Sequence, residues 1–245
     1  MNPQLAGRKT RHAATFLAFA SAVFFGSCES ALSDMEITDP GVLQTHFAVE
    51  RALLDNGTVL HSLHANIFDK NLASVELKNG QVKVNGQQMS VTELLNISTY
   101  RIQGATVDLN TDYDFEVVLP NGESYGGTVT TQEKGFTVLT APETSSASSD
   151  LTISWQDAYV HDELTISLGL TSQSGSVPGQ SFTLTEEQMQ AGTFVIPKSS
   201  FSTPAGITSV MITLNGAKYG TIDSEFRTGS GTISRMRVEK KVTFQ

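Results

Sequence analysis

The sequence has one cysteine and one tryptophan in 245 residues, and 16 basic residues against 25 acidic ones. A lone thiol excludes any disulfide within the chain, so the fold must be held by packing. The shortage of basic residues leaves a surface that repels nucleic acid, and nucleic-acid binding is not expected. No apolar run is long enough to span a bilayer. Helical periodicity is rare. No Gly-x-Ser-x-Gly elbow, phosphate loop or dinucleotide fingerprint occurs. The acidic residues permit many carboxylate pairs and single out none, so no catalytic residue and no cofactor is nominated.

What the sequence does contain begins at its start. A basic stretch (Arg8, Lys9, Arg11) precedes an apolar run over 13–25, broken only by Thr15 and Ser21, and then Gly26-Ser27-Cys28. This order suits an export signal: a positive end, an apolar segment too short for permanent spanning, and small residues before the cut. Residues 1–27 are read as that signal. Their loss removes three positive charges and no negative ones, leaving 13 basic against 25 acidic residues and a net charge of −12. Residues 28–37, acidic and without periodicity, read as a tether.

The remainder has strand-like runs punctuated by Asn-Gly at 56–57, 79–80, 85–86, 121–122 and 215–216. Asn-Gly is favoured where both central residues of a two-residue hairpin need positive φ. The clearest expected hairpin joins 75–78 to 81–84, because Val75, Leu77, Val82 and Val84 alternate with polar partners. A second joins 113–119 to 125–131 through Asn121-Gly122. Further strands are expected over 151–155, 164–170, 181–184, 193–196, 207–214 and 233–244. Thr185 and Gln188 have capping-box spacing and Gly192 can stop a turn, which predicts one short helix between them. Residues 141–150 are Ser-rich and read as a linker or an exposed first segment. The reading is an all-β chain of two tandem immunoglobulin-like sandwiches, 38–141 and 142–245.

Two resemblances add to this. Phe25-Gly26-Ser27-Cys28 resembles the lipobox of bacterial lipoproteins, with Phe25 where an aliphatic residue is commoner. It implies that Cys28 carries the lipid and that the membrane is contacted only through that lipid, since two or three acyl chains hold stably. Glu29, Asp34 and Glu36 resemble the loose acidic signal that sends Bacteroidota lipoproteins to the cell surface. The stretches 82–86, 113–130, 151–155 and 192–197 resemble the tandem immunoglobulin- or fibronectin-III-like modules of Bacteroidota surface lipoproteins. That resemblance implies a lipid-anchored outer-membrane or cell-surface module, non-enzymatic, with a protein partner at the envelope. The rival reading is a carbohydrate-binding accessory lipoprotein of a polysaccharide-uptake system.

The candidate sites are few. His61 and His64 have a spacing that binds metal on a helix, but on a strand an offset of three puts them on opposite faces, so no metal site is expected. Asp108, Asn110, Asp112 and Asp114 mimic half a calcium loop, yet Tyr113 and Leu119 replace its turn glycine and closing Glu; a solvated strand face is expected instead. Trp155 ends an alternating strand and is expected in the core. Tyr113 resembles a tyrosine corner. Arg235, Arg237, Lys240 and Lys241 read as the charged outer face of the last strand. A glycan platform would have to come from Trp155, Tyr125, Tyr159 or Tyr219.

Overall fold

The structure is a computed structural model, and it describes residues 36–94, 97–134, 139–156, 161–202 and 206–245. Cys28, the export signal, most of the expected tether and Tyr159 lie outside them. The strands run β1 (Gln44–Leu53), β2 (Val59–Phe68), β3 (Gln81–Val84), β4 (Gln87–Gln88), β5 (Ser90–Leu94), β6 (Ile97–Arg101), β7 (Asp112–Val118), β8 (Ser124–Thr130) and β9 (Leu139–Thr140). They continue as β10 (Thr144–Ser145), β11 (Leu151–Trp155), β12 (Glu163–Ser172), β13 (Gly175–Val177) and β14 (Ser181–Thr183). After helix α1 (Glu186–Ala191) come β15 (Thr193–Ile196), β16 (Ile207–Tyr219), β17 (Thr221–Ile222) and β18 (Gly231–Phe244). The chain is all-β, and its sheets are layered as sandwiches.

Local chemistry explains many of these elements. The chain β11 follows alternates Leu151, Ile153 and Trp155, all buried, with Thr152 and Ser154 between them. Thr185 caps α1 through a complete capping box with Gln188, and Gly192 ends it in the left-handed conformation at φ 64°. Asn85-Gly86 takes positive φ at both residues (48° and 77°), and it joins β3 to β4 as a two-residue hairpin.

Two expected turns resolve differently. Residues 75–78 form no ladder strand, although Val75 and Leu77 are buried as the alternation required. Their backbone donors go instead to Ile67 O (2.8 Å) and to the phenol oxygen of Tyr100 (2.7 Å). Asn215-Gly216 is not a turn but lies inside β16. Gly216 is needed there because a Cβ would collide with the His161 imidazole. Tertiary demand, not turn geometry, put a glycine after this asparagine.

A ten-stranded sheet dominates the fold, with the order β13-β12-β16-β18-β1-β2-β6-β5, β14 beside β12 and β10 beside β18. Its centre joins distant segments: β18 lies antiparallel to β16 and parallel to β1, with His46 opposite Gly231 and Leu53 opposite Val238. A five-stranded sheet (β17-β8-β7-β3-β4) and a three-stranded one (β15-β11-β9) complete the layers. One core lies between the wide sheet and the five-stranded sheet, where Phe47 stacks on Phe115 at 4.9 Å and 8°. The other lies between the wide and three-stranded sheets and takes Trp155, Leu164, Ile212 and Val238.

Register places both cores on one side of the wide sheet. Val49 of the first core pairs with Ser234, two residues before Met236 of the second, so their side chains share a face. Ile37, inside the stretch expected to be tether, is buried in the first core. Thr144 and Ser145 pair with the end of β18, so 141–150 is an exposed first segment rather than a free linker.

Candidate functional site on the open sheet face

With both smaller sheets on one side, the other face of the wide sheet is covered by no element among the described residues. The registers order its side chains into rows. Arg101, His64, Ala48, Ile233 and Tyr219 lie directly across β6, β2, β1, β18 and β16. At about 4.8 Å per strand this row spans roughly 19 Å. The next row runs Ser62, Glu50, Arg235, Ala217 and Glu163. On the other side stand Thr99, Asn66, His46 and Gly231; Thr99 Oγ1 donates to Asn66 Oδ1 at 2.8 Å.

Small residues at the centre of this face make a shallow depression of about 380 Å³. Ala48 is its floor, only 4% exposed, and Gly231 lies beside it. His46, His64, Phe68, Tyr219 and Arg235 form its walls. Each wall residue is held. Gln44 Nε2 donates to His46 Nε2 (3.0 Å) while also reaching Gly229 O, and His64 Nδ1 contacts Ser62 Oγ at 3.1 Å. Arg235 Nη1 lies 3.0 Å from Glu50 Oε1. The Tyr219 hydroxyl donates to Glu163 Oε2 at 2.7 Å, which leaves its ring as the part presented to solvent, 55% exposed.

The electrostatics follow from this packing. Burial, and then the Arg235 charge, hold His46 below the usual imidazole range. Burial also lowers His64; Glu50 opposes the shift, while Arg101 and Arg235 reinforce it. The hydrogen bond to Glu163 raises the Tyr219 phenol. Near neutral pH the depression therefore offers uncharged imidazoles beside guanidinium groups.

The other expected positions resolve plainly. His61 and His64 sit on opposite faces, and His61 Nδ1 accepts the Val107 amide at 3.0 Å. Asp112 and Asp114 do not converge on one point; they accept hydroxyls from Thr130 (2.6 Å) and Thr128 (2.7 Å) across the β7–β8 ladder. Asn110 takes a positive φ of 49° in the preceding turn, and the backbone amide of Asp108 donates to Tyr113. Tyr113 forms the expected corner: its hydroxyl accepts the Asp108 amide at 2.9 Å and donates toward Thr106 O. Trp155 is a core residue. Tyr125 packs beside Phe226 on the first core and bonds Glu123. In the basic cluster, Arg235, Arg237 and Lys240 are paired with Glu50, Glu239 and Asp55, and the Lys241 amide donates to Asp55.

His46, Phe68 and Arg101 carried no signal in the linear sequence. They meet Tyr219 and Arg235 only through the register that sets β18 and β16 beside β1.

No family model matches the chain, and no curated protein matches it. Among solved structures it is similar to the FN1-FN3 domains of chicken CNTN1, at 12% identity and a TM-score of 0.27, over 82% of this chain and 66% of that one. It is also similar to the central fibronectin-III array of RIM-binding protein (15%, 0.24, 83% and 71%). A third is the Yersinia pseudotuberculosis adhesin InvE (10%, 0.24, 82% and 60%). The chain thus spans less than two thirds of the first and third of these. Similarity at this level assigns no function.

Proposed function

We propose that this chain is a lipid-anchored, non-enzymatic binding module of a bacterial outer membrane or cell surface, serving adhesion or assembly. The observation that carries the binding part is the uncovered face of the wide sheet. A mostly antiparallel sheet commonly leaves one face to solvent; this one holds in addition a depression of about 380 Å³ walled by fixed polar and aromatic groups. The anchor rests on the sequence around Cys28. A protein partner at the envelope is the primary reading.

The intact lipoprotein, gently solubilised and recovered with its neighbours, tests this. A Cys28→Ala chain should lose metabolic labelling by fatty acid, and Arg235→Glu should release the recovered partner. Hydrolytic turnover by the purified protein that is abolished by one side-chain change would overturn the non-enzymatic reading.

A second reading, glycan binding, is favoured by Tyr219. Of the described aromatic candidates, it is the one that presents its ring on the open face, beside groups able to bond hydroxyls.

A further inference from the structure

The open face differs in charge from the rest of the molecule. The chain is acidic, at a net −9. Yet Arg101 and Arg235 flank the depression, with Arg237 one step further along β18. Arg101 is exposed and forms no ion pair among the described residues. Carboxylates on or beside this face are Glu50, Glu163, Glu239 and Asp162; Glu50 and Glu239 pair with arginines, Glu163 accepts the Tyr219 hydroxyl, and Asp162 accepts the Tyr219 backbone amide at 2.8 Å.

The free hydrogen-bonding capacity around the floor is mostly of the donating kind. One nitrogen of each imidazole is already engaged, by Gln44 or Ser62, and the other remains. Asn66 has spent its oxygen on Thr99 and keeps its amide N–H groups. A surface of guanidinium and amide donors suits a ligand carrying carboxylates and hydroxyls.

Two further features select its shape. Strands β2, β1, β18 and β16 are each paired on both sides, so no free strand edge borders the depression. A peptide there could not add as a strand, which is how extended peptides commonly gain affinity on sheets. The floor is apolar, made of Ala48 and Gly231 with the half-buried Ile233 between Ala48 and Tyr219, and the Tyr219 ring stands at its end with its hydroxyl committed. A shallow apolar floor ending in an exposed aromatic face suits the apolar face of a saccharide ring, whose edges then meet the polar walls.

We propose that the open face of the wide sheet binds an acidic, hexuronate-bearing polysaccharide, with one ring over Tyr219 and carboxylates toward Arg235 and Arg101. This rests on the binding reading of the same face and gives it a ligand class. The row from Tyr219 to Arg101 spans roughly 19 Å, enough for several linked rings, so a chain binds more tightly than a monosaccharide.

Calorimetric titration of the intact protein in mild detergent tests it, with oligogalacturonate, neutral dextran and polyglutamate as probes. Oligogalacturonate should bind, and the affinity should fall at least tenfold in Arg101→Gln and in Tyr219→Ala, while the exposed Lys70→Gln change leaves it intact. Added salt should weaken it. Equal binding of dextran overturns the role of charge, and equal binding of polyglutamate overturns the saccharide. If no probe binds but Arg235→Glu still releases the envelope partner, the ligand class fails and the binding reading stands. If neither experiment responds to the face, both fail.

Discussion

Ser234 Oγ donates a 2.9 Å hydrogen bond to Gln132 Oε1 across 102 positions of sequence, at the seam between the two cores. Gln132 is fully buried, and its amide nitrogen reaches His161 Nδ1 (3.1 Å) and Ser234 O (3.4 Å). One side chain from the end of β8 thus ties the start of β12 to β18. A buried amide is tolerated only because these partners satisfy it.

Gln132→Leu keeps a similar volume but strips Ser234 and His161 of this partner. A loss of about 2–4 kcal/mol in urea unfolding is expected, the penalty for leaving buried polar groups without their bonds. A loss under about 0.5 kcal/mol would mean that apolar packing alone holds the seam.

His161 sets a pH dependence. Burial pushes its imidazole down to about 4, with Asp162 opposing and Lys218 reinforcing. The folded pKa lies below the unfolded value of about 6.5. Between those two values the unfolded chain binds a proton that the folded chain refuses, so stability falls as pH drops from about 6.5 toward about 4. The interval corresponds to about 3 kcal/mol. His161→Asn should flatten this slope relative to the parent, with the carboxylate contributions common to both. Parallel pH profiles would remove His161 as the cause.

Gly127 and Gly231 predict opposite outcomes from the same change. A Cβ on Gly127 would overlap Thr232 Oγ1 and the Thr221 carbonyl, a backbone atom that cannot swing aside. Gly127→Ala should cost about 2–3 kcal/mol. A Cβ on Gly231 meets nothing within 4 Å, and Gly231→Ala should leave thermal unfolding unchanged. Similar melting shifts in the two variants would contradict the crossing of β8 under β18.

The two cores make the chain look divisible, while the shared sheet makes it one unit. A chain ending at Ser230 lacks β18, opening the edges of β1 and β16 and removing Met236, Val238 and Val242 from the second core. Both halves should then lose cooperative unfolding. A fragment of 36–141 that melts cooperatively by itself would show two independent domains instead.

What was legible in the sequence is what local physics decides. Strands 151–155 and 193–196 and the Thr185 capping box follow from alternation and end chemistry, with no need of distant partners. The corner at Tyr113 was readable for the same reason: its hydroxyl bonds a backbone five residues away. Misreadings came where distant atoms overrode local preference. Asn215-Gly216 has turn propensity, but His161 requires the glycine within a strand. Residues 75–78 have strand alternation, but Tyr100 takes a backbone donor. The open face was hidden more deeply. Tyr219 joins His46 and His64 only once β18 is placed between β1 and β16, and no local pattern encodes that placement.

The position of β18 also bears on how the protein reaches its native state. Strand β18 lies at the centre of the widest sheet although it is far in sequence from its neighbour β1, and its pairing of His46 with Gly231 closes a loop of the residues between them. Such high contact order makes folding slow, because chain entropy is lost long before these pairings return stabilisation. Until β18 has docked, neither core has all its walls. Docking of β18 is therefore the single event that closes both cores together, so neither half gains its full protection before the other.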